Sequence, residues 1–128
     1  MDENKKPAAL LTREEILAKL TLRAEIVDVP EWGGTVRVRE LTGSERDKYE
    51  AALVKMQKGT GKTDLTMDNA RARLVALASI DKDGSRLFSE ADVGRLGNLS
   101  AAALSRVFDV AATLSKITAD DLEELSGN

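Results

Sequence analysis

Only four of the 128 residues are aromatic, Trp32, Tyr49, Phe88 and Phe108, and that scarcity limits what the chain can fold into. A core without large rings must be filled by Leu, Val, Ile and Ala, which fill space best where helices approach one another closely. At this length one domain buries about two-thirds of the surface its unfolded chain would expose, enough for a single core. Neither half alone offers enough apolar surface to close a core of its own.

Cysteine and histidine are both absent. The first absence removes disulfides, thiolate nucleophiles and nearly every structural zinc site; the second removes the commonest general base and metal ligand. Nineteen basic residues against 22 acidic ones leave a net charge of −3, without the clustered basic excess of a nucleic-acid or membrane-surface binder. The longest apolar run, Leu74-Val75-Ala76-Leu77-Ala78, is far too short to span a bilayer, and no secretory segment precedes it. These features predict a cytoplasmic binding protein that is not an enzyme and needs no cofactor or metal.

Hydrophobic periodicity places the elements. Residues 1–11 are polar or lack periodicity and are expected to be disordered. Thr12-Arg13-Glu14-Glu15 reads as a capping box opening a short helix through about Leu20, with Ile16, Leu17 and Leu20 on one side. From Ala24 to Leu41 the period falls to two around the turn Pro30-Glu31-Trp32-Gly33-Gly34, which predicts a β-hairpin burying Val27 and Val29 opposite Val36 and Val38. A second capping box, Thr42-Gly43-Ser44-Glu45, starts a helix to about Gln57 carrying Tyr49, Ala52, Leu53 and Met56 on one face. Residues 57–66 are polar, Gly-containing and aperiodic, as expected of a mobile internal loop.

Asp68 or Asn69 is placed to cap a third helix through about Ser79, with Ala70, Leu74, Leu77 and Ala78 as its buried stripe. Asp83-Gly84 suits the positive φ angles of a second, very short hairpin between Ile80 and Leu87-Phe88. A brief helix follows from Ser89 to Gly97, with Gly97 as a left-handed cap. Ser100 opens a longer helix with Leu104, Val107, Phe108, Ala111, Leu114 and Ser115 on one face, and Thr118 opens an acidic helix bearing Leu122 and Leu125. The predicted class is α+β, a mainly helical single domain over residues 12–125 with an N-terminal β-hairpin and a second short one.

Three motifs could suggest chemistry. Gly59-Thr60-Gly61-Lys62-Thr63 ends like a phosphate-binding loop, but Met56 stands where the first glycine belongs and a helix precedes it where a buried strand is needed. Asp81, Asp83 and Asp92 match positions 1, 3 and 12 of a calcium loop, but Arg86 takes the position of the obligatory turn glycine. Adjacent carboxylates such as Glu14/Glu15 and Asp120/Asp121 point apart on a helix and sit where acidic residues favour an N-terminus. Solvated loop, plain turn and wet surface are the readings that fit. Trp32, on its Gly-rich turn, either covers one end of the core or anchors a partner, and the former suits a lone aromatic better.

The stretch from Val29-Pro30-Glu31-Trp32-Gly33-Gly34 through Thr35-Val36-Arg37-Val38-Arg39-Glu40 to Leu41-Thr42-Gly43-Ser44-Glu45-Arg46 resembles the tail assembly chaperones of long-tailed bacteriophages. Ile80-Asp81-Lys82-Asp83-Gly84-Ser85-Arg86-Leu87-Phe88, Asp92-Val93 and the Leu-rich closing helix resemble a second block of the same family. The resemblance implies a protein of the host cytoplasm that binds the long tape-measure protein, keeps it soluble and is absent from the mature virion. It also implies a longer frameshift product that recruits the tail-tube protein; a homo-oligomer is a possible further assembly. A small structural tail or connector component retained in the virion is the alternative. The amphipathic late region, Leu104 to Leu125, is the expected binding surface, with Leu104, Leu114, Leu122 and Leu125 as candidates and Trp32 as a second site.

The two-length expectation fixes codons. A backward slip by one nucleotide needs a heptamer X XXY YYZ, and Ser126-Gly127-Asn128 can supply one only as TCG-GGA-AAC or TCG-GGA-AAT. Sequencing the gene should show one of these followed by an open −1 frame; the absence of any overlapping frame would remove the support for two products.

Overall fold

The computed structural model describes residues 9–56, 63–65, 69–118 and 120–121. Among them the chain forms α1 (Arg13–Leu17), β1 (Ala24–Val29), β2 (Gly34–Arg39), α2 (Gly43–Leu53), β3 (Val54–Met56), β4 (Thr63–Leu65), α3 (Ala70–Ala78), β5 (Ser79–Ile80), α4 (Val93–Gly97) and α5 (Ala101–Leu114). The class is α+β, with a three-stranded antiparallel sheet in the order β1-β2-β5.

Strands β1 and β2 pair with Val27 opposite Val36, Val29 opposite Gly34 and Glu25 opposite Val38; the valines share the face that alternation predicts, but only Val27 and Val36 meet directly across the ladder. Val27, Val29 and Val38 are buried, while Val36 packs half-buried against the core. Pro30 starts a single 3-10 turn through Trp32, and Gly33 closes it at a φ of 73°, where a side chain would be strained. Helix α5 lies across this valine face and α3 packs on α5, so the core forms between sheet and helices.

The capping boxes hold. Thr12 accepts from the Glu15 N–H and Thr42 from the Glu45 N–H, while each glutamate carboxylate accepts from the N–H of its threonine. Glu45 also takes two guanidinium hydrogen bonds from Arg39, at 2.7 and 2.8 Å, which fastens the start of α2 to the end of β2. That ion pair, opposed in part by burial, lowers the Glu45 carboxyl from 4.5 to about 2. Helix α5 is capped at its start by Ser100, whose hydroxyl accepts from Ala103 N–H. It ends in a Schellman motif, with left-handed Lys116 (φ 55°), Lys116 N–H donating to the Thr113 carbonyl and Ile117 N–H to that of Ala112.

Several elements differ from the sequence expectation. Helix α1 stops at Leu17, not Leu20, and buries none of its residues. Helix α2 stops at Leu53, because Val54–Met56 turn into a strand that pairs with Thr63–Leu65. Part of the expected loop is therefore strand; residues 57–62 and 66 lie outside the described residues. Helix α3 buries not one stripe but almost its whole girth, Ala70, Ala72, Leu74, Val75, Ala76, Leu77 and Ala78, as a helix enclosed by neighbours must. Gly97 ends α4 without the expected left-handed conformation. Its bareness has another cause, since a Cβ there would run into the Asn69 side chain at the start of α3. Phe108, expected in the core, is half-buried, its ring 5.9 Å from the Arg71 guanidinium. The second hairpin is present, with Ile80 bridged to Arg86 and only Gly84 at positive φ.

Ala111, fully buried on α5, leaves no room for a longer side chain, so Ala111→Leu should destabilise the domain by about 1–3 kcal/mol; chemical denaturation measures it. Glu45→Gln should cost about 2 kcal/mol at neutral pH, since the pair is about five-sixths buried. The stabilisation from a lowered carboxyl is fully present above its unfolded value of 4.5 and fades as pH falls toward about 2. Melting temperature should therefore drop through that window in the parent and change less in Glu45→Gln.

Candidate protein-binding surface

Many of the acidic side chains are engaged in caps, turns and ion pairs. Glu31 accepts from Arg106 at 2.8 and 3.0 Å, and this bond is the main reason its carboxyl is lowered. Arg46 donates to Glu50 at 2.9 Å and lies 3.4 Å from Asp121, whose carboxyl is lowered chiefly by the Thr118 N–H it accepts. Asp81, the first position of the would-be calcium loop, accepts from the N–H groups of Asp83 and Ser85 and so braces its own turn. Among the described residues no group of three or more His, Cys, Asp or Glu is placed to hold a metal ion. The phosphate-loop look-alike falls mostly in 57–62, outside the described residues, and its Thr63 opens β4. Among the described residues no helix is long and apolar enough to cross a membrane.

The structure separates the residues proposed for binding. Leu104 and Leu114 are each 5% exposed and belong to the core, so they present no surface to a partner. The i, i+3, i+4 stripe that suggested them is the face α5 turns toward the sheet and α3. Trp32 is half-buried and packs against the core, its neighbour Glu31 tied to α5 through Arg106. Leu122 and Leu125 lie outside the described residues.

The exposed apolar side chains concentrate elsewhere, between residues 10 and 26. Leu10 and Leu20 are 98% and 88% exposed, and Leu11, Ile16, Leu17, Leu22 and Ile26 stand with them in water. Three of these, Ile16, Leu17 and Leu20, are the residues that periodicity places on one side of the first helix. A helix of five residues is too short to lay such a stripe against a core, and the signal that marks them is their position before the first strand with no apolar counterpart left unpaired. Exposed apolar side chains this numerous in one short segment are unusual on a small domain, where a contiguous apolar patch is a common mark of an interaction surface.

Among the described residues, then, a closed core carries an apolar arm outside it. The sequence pattern described as "Phage tail assembly chaperone" matches residues 12–125. The chain belongs to the phage tail assembly chaperone family. Its fold is also similar to the structure of the bacteriophage HK97 tail assembly chaperone, with a TM-score of 0.54 and 22% sequence identity over 73% of this chain and 85% of that one. No curated protein matches the chain. The family is one of tail assembly, which implies tail proteins as partners; the Thr42 capping box, Gly33 and Gly84, which lie in the stretches that carried the resemblance, shape this chaperone's turns.

Proposed function

We propose that this chaperone binds the tape-measure protein in the host cytoplasm, keeps that long helical chain soluble, and leaves before the virion is complete. A longer frameshift product of the same gene brings the tail-tube protein to the complex. The chain is not an enzyme. The observation that supports this reading best is the apolar arm from Leu10 to Ile26 standing outside a core that is already closed. A chaperone has to offer a client apolar surface without opening its own fold, and only side chains outside the core meet that condition. We assign the main client contact to the arm, with Leu122, Leu125 and Trp32 as further contacts.

Co-expression with the tape-measure protein should carry that partner into the soluble fraction. Replacing Ile16, Leu17 and Leu20 together by Asp should return it to the pellet. The chaperone's own melting temperature should barely move, since these side chains are largely exposed. A client kept soluble by the triple variant would remove the arm from the interface. An insoluble client in the presence of both lengths of the parent would end the chaperone reading, and recovery of the chain from purified particles would make it a structural component.

A further inference from the structure

A cleft of about 100 Å³ opens between α2 and α3, with Lys48 and Tyr49 on one wall, Arg73 on the other, and Arg86, Glu90 and Val93 closing the third side. Three cations thus face one carboxylate, and none of the three pairs with an acidic side chain among the described residues. Two wall residues also carry a buried donor without a partner, the Tyr49 hydroxyl and the Arg73 Nε–H. Tyr49 is 1% exposed, and burial pushes its hydroxyl up to about 12, so it keeps its proton at neutral pH. A native fold rarely leaves such groups unsatisfied, because each loses its water without regaining a hydrogen bond.

The two donors call for an acceptor, the three unpaired cations favour a negatively charged one, and the volume favours a small one. A carboxylate accepts through both oxygens and meets a guanidinium in its own plane. Val93 and the alanines of the wall suit the methylene stem of a glutamate, which an inorganic anion lacks. Glu90 stands against a doubly charged phosphate about twice as strongly as against a single carboxylate. We propose that the α2–α3 cleft receives a glutamate side chain presented by an acidic segment of a partner polypeptide. The site lies on different residues from the apolar arm and holds whichever tail protein is the client.

The full chain titrated with a blocked peptide of alanine and glutamate, followed by amide NMR, should show saturable shifts confined to α2, α3 and the Arg86–Val93 segment. The glutamine version of the peptide should leave them still. Tyr49→Phe should weaken binding about tenfold while the melting temperature of the free protein holds or rises, because the hydroxyl it removes has no partner. Arg86→Gln, at an exposed position, should weaken it without touching the fold. Equal binding of the glutamine peptide, inorganic phosphate binding as tightly at the same amides, no saturable shifts, or parent-like affinity in both variants would each overturn the assignment. None of these outcomes depends on whether the tape-measure protein is the client.

Discussion

Everything else in this domain depends on how closely α3 approaches its neighbours. Ala70, Ala72, Ala76 and Ala78 are buried on α3, and Ala103, Ala111 and Ala112 on α5. Two helices faced with alanine come near enough for backbones and short side chains to share van der Waals contact, and they leave almost no volume to spare. This solves the problem set by a nearly ring-free composition. The larger side chains, Leu53, Leu74, Val75 and Val107, then fill the spaces around that contact. Ser79, where α3 passes straight into β5, is fully buried.

The polar contacts at the end of α5 join this helical layer to the sheet. The last carbonyls of a helix have no partner within it. Here Arg23, ahead of β1, donates to the Leu114 carbonyl at 2.8 Å, and Arg46 of α2 donates to that of Ser115 at 3.2 Å. The Ser115 hydroxyl in turn accepts from Leu41 N–H at 2.9 Å. Two guanidinium groups thus stand where the helix dipole favours positive charge, and three segments distant in sequence are fixed at one point. Glu45 and Arg39 complete the joint by holding α2 to the strand before it.

Such a frame has a functional consequence. With Leu104 and Leu114 of α5 enclosed in the core, the surfaces proposed for partners are the apolar arm from Leu10 to Ile26, with Trp32, Leu122 and Leu125, and the cationic cleft between α2 and α3. One is apolar and the other charged. Apolar area supplies most of the affinity for an aggregation-prone client, whereas a paired charge mainly sets register and choice of partner. Under the proposed function, contacts that lie outside the stable core would let a long client be held and later released without opening the fold.

Local chemistry determined a large share of this structure directly from the residues. Capping boxes at Thr12 and Thr42, the hairpin face shared by Val27, Val29, Val36 and Val38, the turn at Gly33 and the left-handed Gly84 follow from hydrogen-bonding capacity, two-residue alternation and missing side chains. The family too was legible in those same turn and strand residues. Tertiary structure alone decided which apolar stripes meet a partner inside the chain. Leu104 and Leu114 look in sequence much like Ile16, Leu17 and Leu20, yet the first pair is enclosed by α3 and the sheet while the others face water. The same holds for Lys48, Arg73 and Arg86, which come together only because α2 and α3 pack side by side. Periodicity shows that a face is apolar or charged; whether anything covers it depends on contacts between residues far apart in the chain, and a local pattern contains no record of those.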